Sequence, residues 1–165
     1  MDIRNAYSQS NGPVIINHDT LISLCSSGKI IDAREGGLVL GRSHAEGDIC
    51  ILKSNEDGKF FIDGCLEGGE YLVNTLAAEK NKQRIEEINK YYVKNEVCAL
   101  DNIRLSMKTR IINTHSEPSD KLIFFGGSPI FIVNKYATAK SYYELEALNH
   151  EDNHGNQFKL DFEPA

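Results

Sequence analysis

No apolar run in the sequence approaches the roughly 18–20 residues that a bilayer-crossing helix needs. The opening residues, Met1-Asp2-Ile3-Arg4-Asn5, include no apolar segment of the secretory type. Both absences predict a chain with no membrane contact, made and kept in a cytoplasm or packaged in a particle assembled there. Positive charge is also short: 18 Lys and Arg stand against 24 Asp and Glu, a net charge of −6. A field of that sign has no general attraction for phosphates, so no nucleic-acid partner is expected. Arg104, Lys108 and Arg110 are the nearest thing to a basic patch, and their spacing reads as a solvated strand face. Finally, Cys25, Cys50, Cys65 and Cys98 lie far apart, and none forms a CxxC pair. No zinc site or disulfide framework is indicated. Buried thiols are expected, with no metal and no cofactor.

What is present is ordinary for a folded protein. Of 165 residues, 41% are apolar and 25% charged. A chain of this size can bury roughly two-thirds of its unfolded surface around one core. The reading divides it into a polar N-terminal arm (1–13), a single α+β domain (14–149) and a polar C-terminal tail (150–165).

The domain is expected to consist of short antiparallel strands and two amphipathic helices. Val14-Ile15-Ile16 reads as a short strand, and Asp19 as the cap of a short helix ending at Gly28. From 29 to 73 the apolar runs are short and separated by Gly-containing turns. Asn55-Glu56-Asp57-Gly58 is a hairpin signal, since Asp-Gly accepts the positive φ angles of a tight turn. Asn74 caps an amphipathic helix over 75–90, and Asn134 caps another over 135–149. Strands are expected between them, including 91–93, 97–100, 103–112, 122–125 and 130–133.

The two helical segments echo each other. Laid over one another at an offset of 60 residues, Val73-Asn74 matches Val133-Asn134, Ala77 matches Ala137, and Glu86 matches Glu146. Ile85 and Ile88 fall on Leu145 and Leu148, and Asn89 falls on Asn149. The pattern predicts a strand–cap–helix unit used twice, its helices packed on a shared sheet.

Chemistry-bearing residues gather near the glycine pairs. The stretch from Gly36 to Ser43 has the outline of a phosphate loop, but Arg42 stands where Lys is needed and the residues between are strand-like. Leu40-Gly41-Arg42-Ser43 with Asp48-Ile49 also resembles forkhead-associated phosphopeptide modules, which place Arg42 and Ser43 at a binding rim. His44 is a candidate base, with Cys50, Cys65, Asp48 and Asp63 as companions for a Cys–His hydrolase or peptidase. Glu67 and Glu70 flank Gly68-Gly69 and suit either an acid–base pair or a tight turn. Candidate binding residues are therefore Arg42, Ser43, His44, Glu67 and Glu70; no catalytic set and no metal ligands are assigned.

The segment from Gly36-Gly37-Leu38-Val39-Leu40-Gly41-Arg42-Ser43-His44 to Asp48-Ile49, followed by Leu66-Glu67-Gly68-Gly69-Glu70-Tyr71-Leu72-Val73-Asn74, resembles a Gly-rich module of phage tail tape-measure and related virion proteins. The resemblance covers residues 36–89. It departs at Asp48, where the family has a glycine, and the chain is far too short for a tape measure. It implies a non-enzymatic virion structural or assembly protein of the tail, neck or portal region. Such a protein would meet other phage structural proteins, form a homo-oligomer, and be assembled in the host bacterial cytoplasm. A small-ligand or phosphopeptide module, an immunity protein and the His44 hydrolase are the alternatives.

Overall fold

Strand β4 (Ile49–Ser54) and strand β5 (Phe60–Leu66) form the hairpin expected around Asp57-Gly58. Gly58 has φ +75°, and the Asn55 side chain accepts from the Asp57 and Lys59 amides across the turn. The computed structural model to which they belong describes residues 12–43, 45, 46, 49–93, 110–114, 122–124 and 130–151. The remaining elements are β1 (Val14–Ile16), α1 (His18–Ser26), β2 (Ile30–Asp32), β3 (Gly37–Leu40), β6 (Tyr71–Val73), α2 (Thr75–Lys80), α3 (Lys82–Asn89), β7 (Ile111–Asn113), β8 (Leu122–Phe124), β9 (Phe131–Val133) and α4 (Lys135–Glu151). The fold class is α+β.

The strands build two sheets, ordered β1-β5-β4-β8-β2 and β7-β3-β6-β9. Three buried clusters show how they stack. Leu21 and Leu24 of α1 cover one face of the first sheet, against Cys50, Leu52, Ile62 and Phe124. The opposite face, with Ile49, Ile51 and Ile123, meets Val39, Leu72 and Ile112 of the second sheet. The far face of the second sheet, with Leu38, Tyr71, Val73 and Val133, is covered by Ala77, Ile85, Ala137, Tyr142 and Leu145 of the other helices. The layers therefore run helix, sheet, sheet, helices. Alternation along each strand explains the stacking: Leu38 and Val39 point to opposite sides of their sheet and feed different clusters.

Several expectations need correction. The strands are not all antiparallel. β2 with β8, β4 with β8, and β3 with β7 are parallel pairs, each joined by the long crossover that parallel pairing needs and a tight hairpin cannot supply. The first helix is capped by Asn17, whose side chain accepts from the Thr20 amide, and not by Asp19. Residues 91–93 are not a strand. The helix expected over 75–90 is two helices broken at Asn81, and the last helix runs to Glu151, two residues into the expected tail. Residues 1–11 of the arm, the strand expected at 97–100 and the tail from 152 onward lie outside the described residues.

The repeat is present in three dimensions. Strand β6 pairs antiparallel with β9, Tyr71 facing Val133, Leu72 facing Ile132 and Val73 facing Phe131. At the offset of 60, Leu72 faces its own counterpart and the flanking pairs exchange, the signature of an approximate two-fold axis. The helix break at Asn81 (φ −116°, ψ 24°) recurs at Ser141 (φ −119°, ψ 25°), which is the equivalent position. Arg84 donates to its own counterpart, Glu144, at 2.6 and 2.7 Å. Two elements that touch their own equivalents must lie beside the axis, so the dyad runs from the Leu72–Ile132 pair to the Arg84–Glu144 pair.

Candidate functional site

The end of β3 and the turn between β5 and β6 come together at the glycine pairs. Gly68 donates to the Arg42 carbonyl at 2.9 Å, and Gly69 to the Val39 carbonyl at 2.8 Å. Glycine is required here by closeness. A Cβ on Gly68 would lie 2.2 Å from the Gly41 carbonyl oxygen, and one on Gly41 would lie 2.0 Å from the Thr114 hydroxyl. Thr114, just past β7, fills the space and donates to the Leu40 carbonyl through both its amide (2.8 Å) and its hydroxyl (2.7 Å). The junction is a packed joint of three strand ends.

The expected binding residues Arg42, Ser43, Glu67 and Glu70 all stand at or beside this joint, and local structure engages several of their polar atoms. The Ser43 hydroxyl donates to Glu46 Oε1 at 3.1 Å and accepts from the Glu46 amide at 3.3 Å, a reciprocal turn closure. Glu70 Oε1 accepts from the Glu67 amide at 2.8 Å, which closes the turn around Gly68-Gly69. Glu67 Oε2 lies 3.4 Å from Lys135 Nζ at the start of α4, tying the turn to the helical layer. The Gly-Gly-Glu segment forms a tight turn, with Glu70 holding backbone. His44 lies outside the described residues, as does Asp48. Cys50 is buried at 1% exposure in the core beneath α1, packed as a small apolar residue. Among the described residues no group of three His, Cys, Asp or Glu side chains is arranged to hold a metal.

A second polar constellation lies between the second sheet and its helices. Asn74 caps α2 by accepting from the Ala77 amide at 3.0 Å, and it also holds the end of the other repeat's helix. Its amide donates to Asn149 Oδ1 at 2.8 Å, and its Nδ2 donates to Asn149 O at 2.9 Å and Oδ1 at 2.8 Å. Asn134 treats Asn89 in the same way: amide to Oδ1 at 2.8 Å, Nδ2 to O at 3.0 Å and to Oδ1 at 2.9 Å. Each helix thus begins on an asparagine that grips the asparagine ending the helix of the other unit. The four echoed asparagines form two latches across the dyad, each satisfying orphan groups at a helix start and a helix end together.

One pair of identical, equivalent residues differs sharply in its surroundings. Glu86 is exposed, whereas Glu146 is 8% exposed and sits among Tyr71, Tyr142 and His150. The hydroxyls of Tyr71 and Tyr142 both donate to the Glu146 carboxylate, and His150 Nε2 is 3.6 Å from it, beyond hydrogen-bond reach. Sequence reasoning missed this group. The alignment of Glu86 with Glu146 was visible, but a shared position does not show which copy is buried. Burial raises the Tyr71 hydroxyl far above its ordinary pKa of 10.0, and the Glu146 hydrogen bond and charge push the same way. A group that holds its proton more tightly when folded stabilises the fold fully below its unfolded pKa, and that contribution fades as the pH rises above it. Stability should therefore fall between about pH 9 and about pH 11 more steeply in the wild type than in Tyr71→Phe, measured as urea midpoints. Parallel curves would remove Tyr71 as the source.

The two helices that meet at the dyad carry an exposed ion pair. Arg84 holds the Glu144 carboxyl below the usual carboxylate range, chiefly through their hydrogen bond. With both side chains well exposed to water, the pair orients the helices more than it stabilises them.

Comparison of the chain with protein-family models, with characterised proteins and with solved structures gave no match.

Proposed function

We propose that this protein acts by binding other protein surfaces, as a structural or assembly component of a phage particle in its tail, neck or portal region, and not as an enzyme. The placement in a virion rests on the resemblance of residues 36–89. The mode of action rests on one structural observation: large apolar and aromatic side chains stand exposed on the outer helical layer and on the segment that follows α3. Tyr143 is 62% exposed, Tyr92 60% and Leu76 48%. Tyrosine is favoured at protein interfaces because it presents a large stiff surface with a polar tip. The layer beneath is braced at both ends of its helices by the asparagine latches, which suits a surface that must keep its shape on contact. The joint at Gly41 and Gly68 is consistent with this reading, since close backbone packing there serves a scaffold.

The test is size-exclusion chromatography with light scattering on the purified chain, alone and mixed with phage tail, neck or portal proteins. The expected result is a defined assembly, either a homo-oligomer or a complex with one of these, that Tyr143→Glu weakens without changing the circular dichroism. A chain that stays monomeric and elutes apart from every mixture would remove the proposal.

A further inference from the structure

The β4–β5 hairpin sets two thiols face to face. Cys50 and Cys65 are directly opposed across this antiparallel pair. The next opposed pair is Leu52 with Ile62, so two steps on β4 match three on β5. The extra residue is a bulge, and Gly64, with φ +95°, supplies its positive dihedral. The bulge matters for the cysteines. Without it, Cys65 and Ile62, three positions apart, would point to opposite faces of the sheet. With it, Cys65 shares a face with Cys50, Leu52 and Ile62 on the side covered by α1. Cys50 is buried there at 1% exposure and Cys65 is half-buried; both carry thiols in this structure.

Opposed residues of an antiparallel pair bring their Cβ atoms to about 4.5–5.5 Å. A disulfide needs about 3.5–4.5 Å, and a small closure of the hairpin at its bulge supplies the difference. We infer that Cys50 and Cys65 are a redox pair that locks the β4–β5 hairpin by a cross-strand disulfide when the chain meets an oxidised low-molecular-weight disulfide. The order of steps follows from access. The Cys65 thiolate, after losing its proton to solvent, attacks the small disulfide and releases one thiolate, leaving a mixed disulfide on Cys65. The Cys50 thiolate, its proton passed to water, then attacks the Cys65 sulfur and expels the second small thiolate. The two released thiolates take up the two protons. Two protein thiols are oxidised and one small disulfide is reduced to two thiols.

The 165-residue chain would be incubated with oxidised glutathione, alkylated and mapped by mass spectrometry without reduction. The expected result is the loss of two of the four thiols and a peptide bridging residues 50 and 65, reversed by dithiothreitol. Cys50→Ala should instead retain glutathione on Cys65. Cys65→Ala, at a half-buried position, should fold and leave Cys50 unmodified over the same period. A wild-type chain that keeps glutathione on Cys65 without bridging overturns the inference, as does a bridge from Cys50 to Cys25 or Cys98. So does a wild-type chain whose thiols at 50 and 65 both remain unmodified.

Discussion

Asn149→Ala is expected to destabilise the fold by about 3 kcal/mol, from the loss of partners for buried polar groups at about 1–3 kcal/mol each. Asn149 is fully buried, and its side chain serves two separate backbone groups. Its Oδ1 accepts from the Asn74 amide at 2.8 Å, and its Nδ2 donates to the Glu35 carbonyl at 3.1 Å. Alanine takes the side-chain partner from the Asn74 amide, where water does not easily reach, and one partner from the half-buried Glu35 carbonyl. Asn74 keeps its bond to the Asn149 carbonyl, so the cap on α2 is weakened rather than erased.

The equivalent change in the other unit, Asn89→Ala, is expected to cost less, about 1–2 kcal/mol, because the Asn134 groups it serves are half-buried and can turn to water. Asn134 Nδ2 also keeps the Tyr91 carbonyl at 3.0 Å. Urea midpoints of the two variants supply the comparison. If the two losses are equal and small, the latch at Asn74 contributes no more than the one at Asn134 and the argument from burial fails.

Gly36→Ala should be costlier still, about 4 kcal/mol, since it adds two separate penalties. Gly36 has φ +77°, a left-handed conformation that an L side chain disfavours by roughly 1–2 kcal/mol. An added Cβ would also lie 2.4 Å from the Leu72 carbonyl oxygen and 2.7 Å from Asn149 Oδ1. The first neighbour is backbone in the central pair of the second sheet, and the second is the latch. Neither can move without breaking hydrogen bonds.

Gly58 separates the two penalties. It has φ +75° but nothing within 4 Å of its would-be Cβ, so Gly58→Ala should show the conformational cost alone, about 1 kcal/mol. Thermal or denaturant midpoints of the two variants measure the contact term as their difference. Equal losses would show that the approach of Gly36 to Leu72 and Asn149 is relaxed in solution.

These predictions converge on one region. Glu35, Gly36, Leu72, Asn74 and Asn149 come from three separate stretches of chain, yet each constrains the next. The glycine lets the turn before β3 pass under the latch, the latch holds the Glu35 carbonyl, and the cap on α2 depends on the same asparagine. Gly36→Ala and Asn149→Ala should therefore be non-additive.

Local chemistry could be read from the chain. The Asn55–Gly58 turn, the caps at Asn74 and Asn134 and the apolar stripes of the helices each depend on residues within a few positions, so spacing alone exposes them. The echo at an offset of 60 was legible for the same reason. The break at Asn81 was not. No Pro or Gly marks it, and only its recurrence at Ser141 identifies it as part of the repeated unit. The exchange of partners between the two units was equally hidden. Sequence shows that Asn74 can cap a helix, but only the crossing of the two units shows that its other hydrogen bonds go to Asn149.

The residues singled out for function divide along the same line. Glu67, Glu70 and Ser43 stand near glycine turns, but whether their polar atoms face a ligand or close the turn is decided by geometry a residue list lacks. Parallel pairing of β8 with β2 and β4 rests on contacts between distant segments, which no local pattern encodes. The burial of Glu146 and the exposure of Glu86 provide the sharpest contrast. The amino-acid order by itself determined the α+β class, the helix starts at Asn74 and Asn134 and the existence of two similar units, because these follow from side-chain spacing and short-range hydrogen bonds. Only the folded chain decided which carboxylate is enclosed, which thiols oppose each other and which asparagines meet, because burial and cross-strand register depend on how remote segments pack.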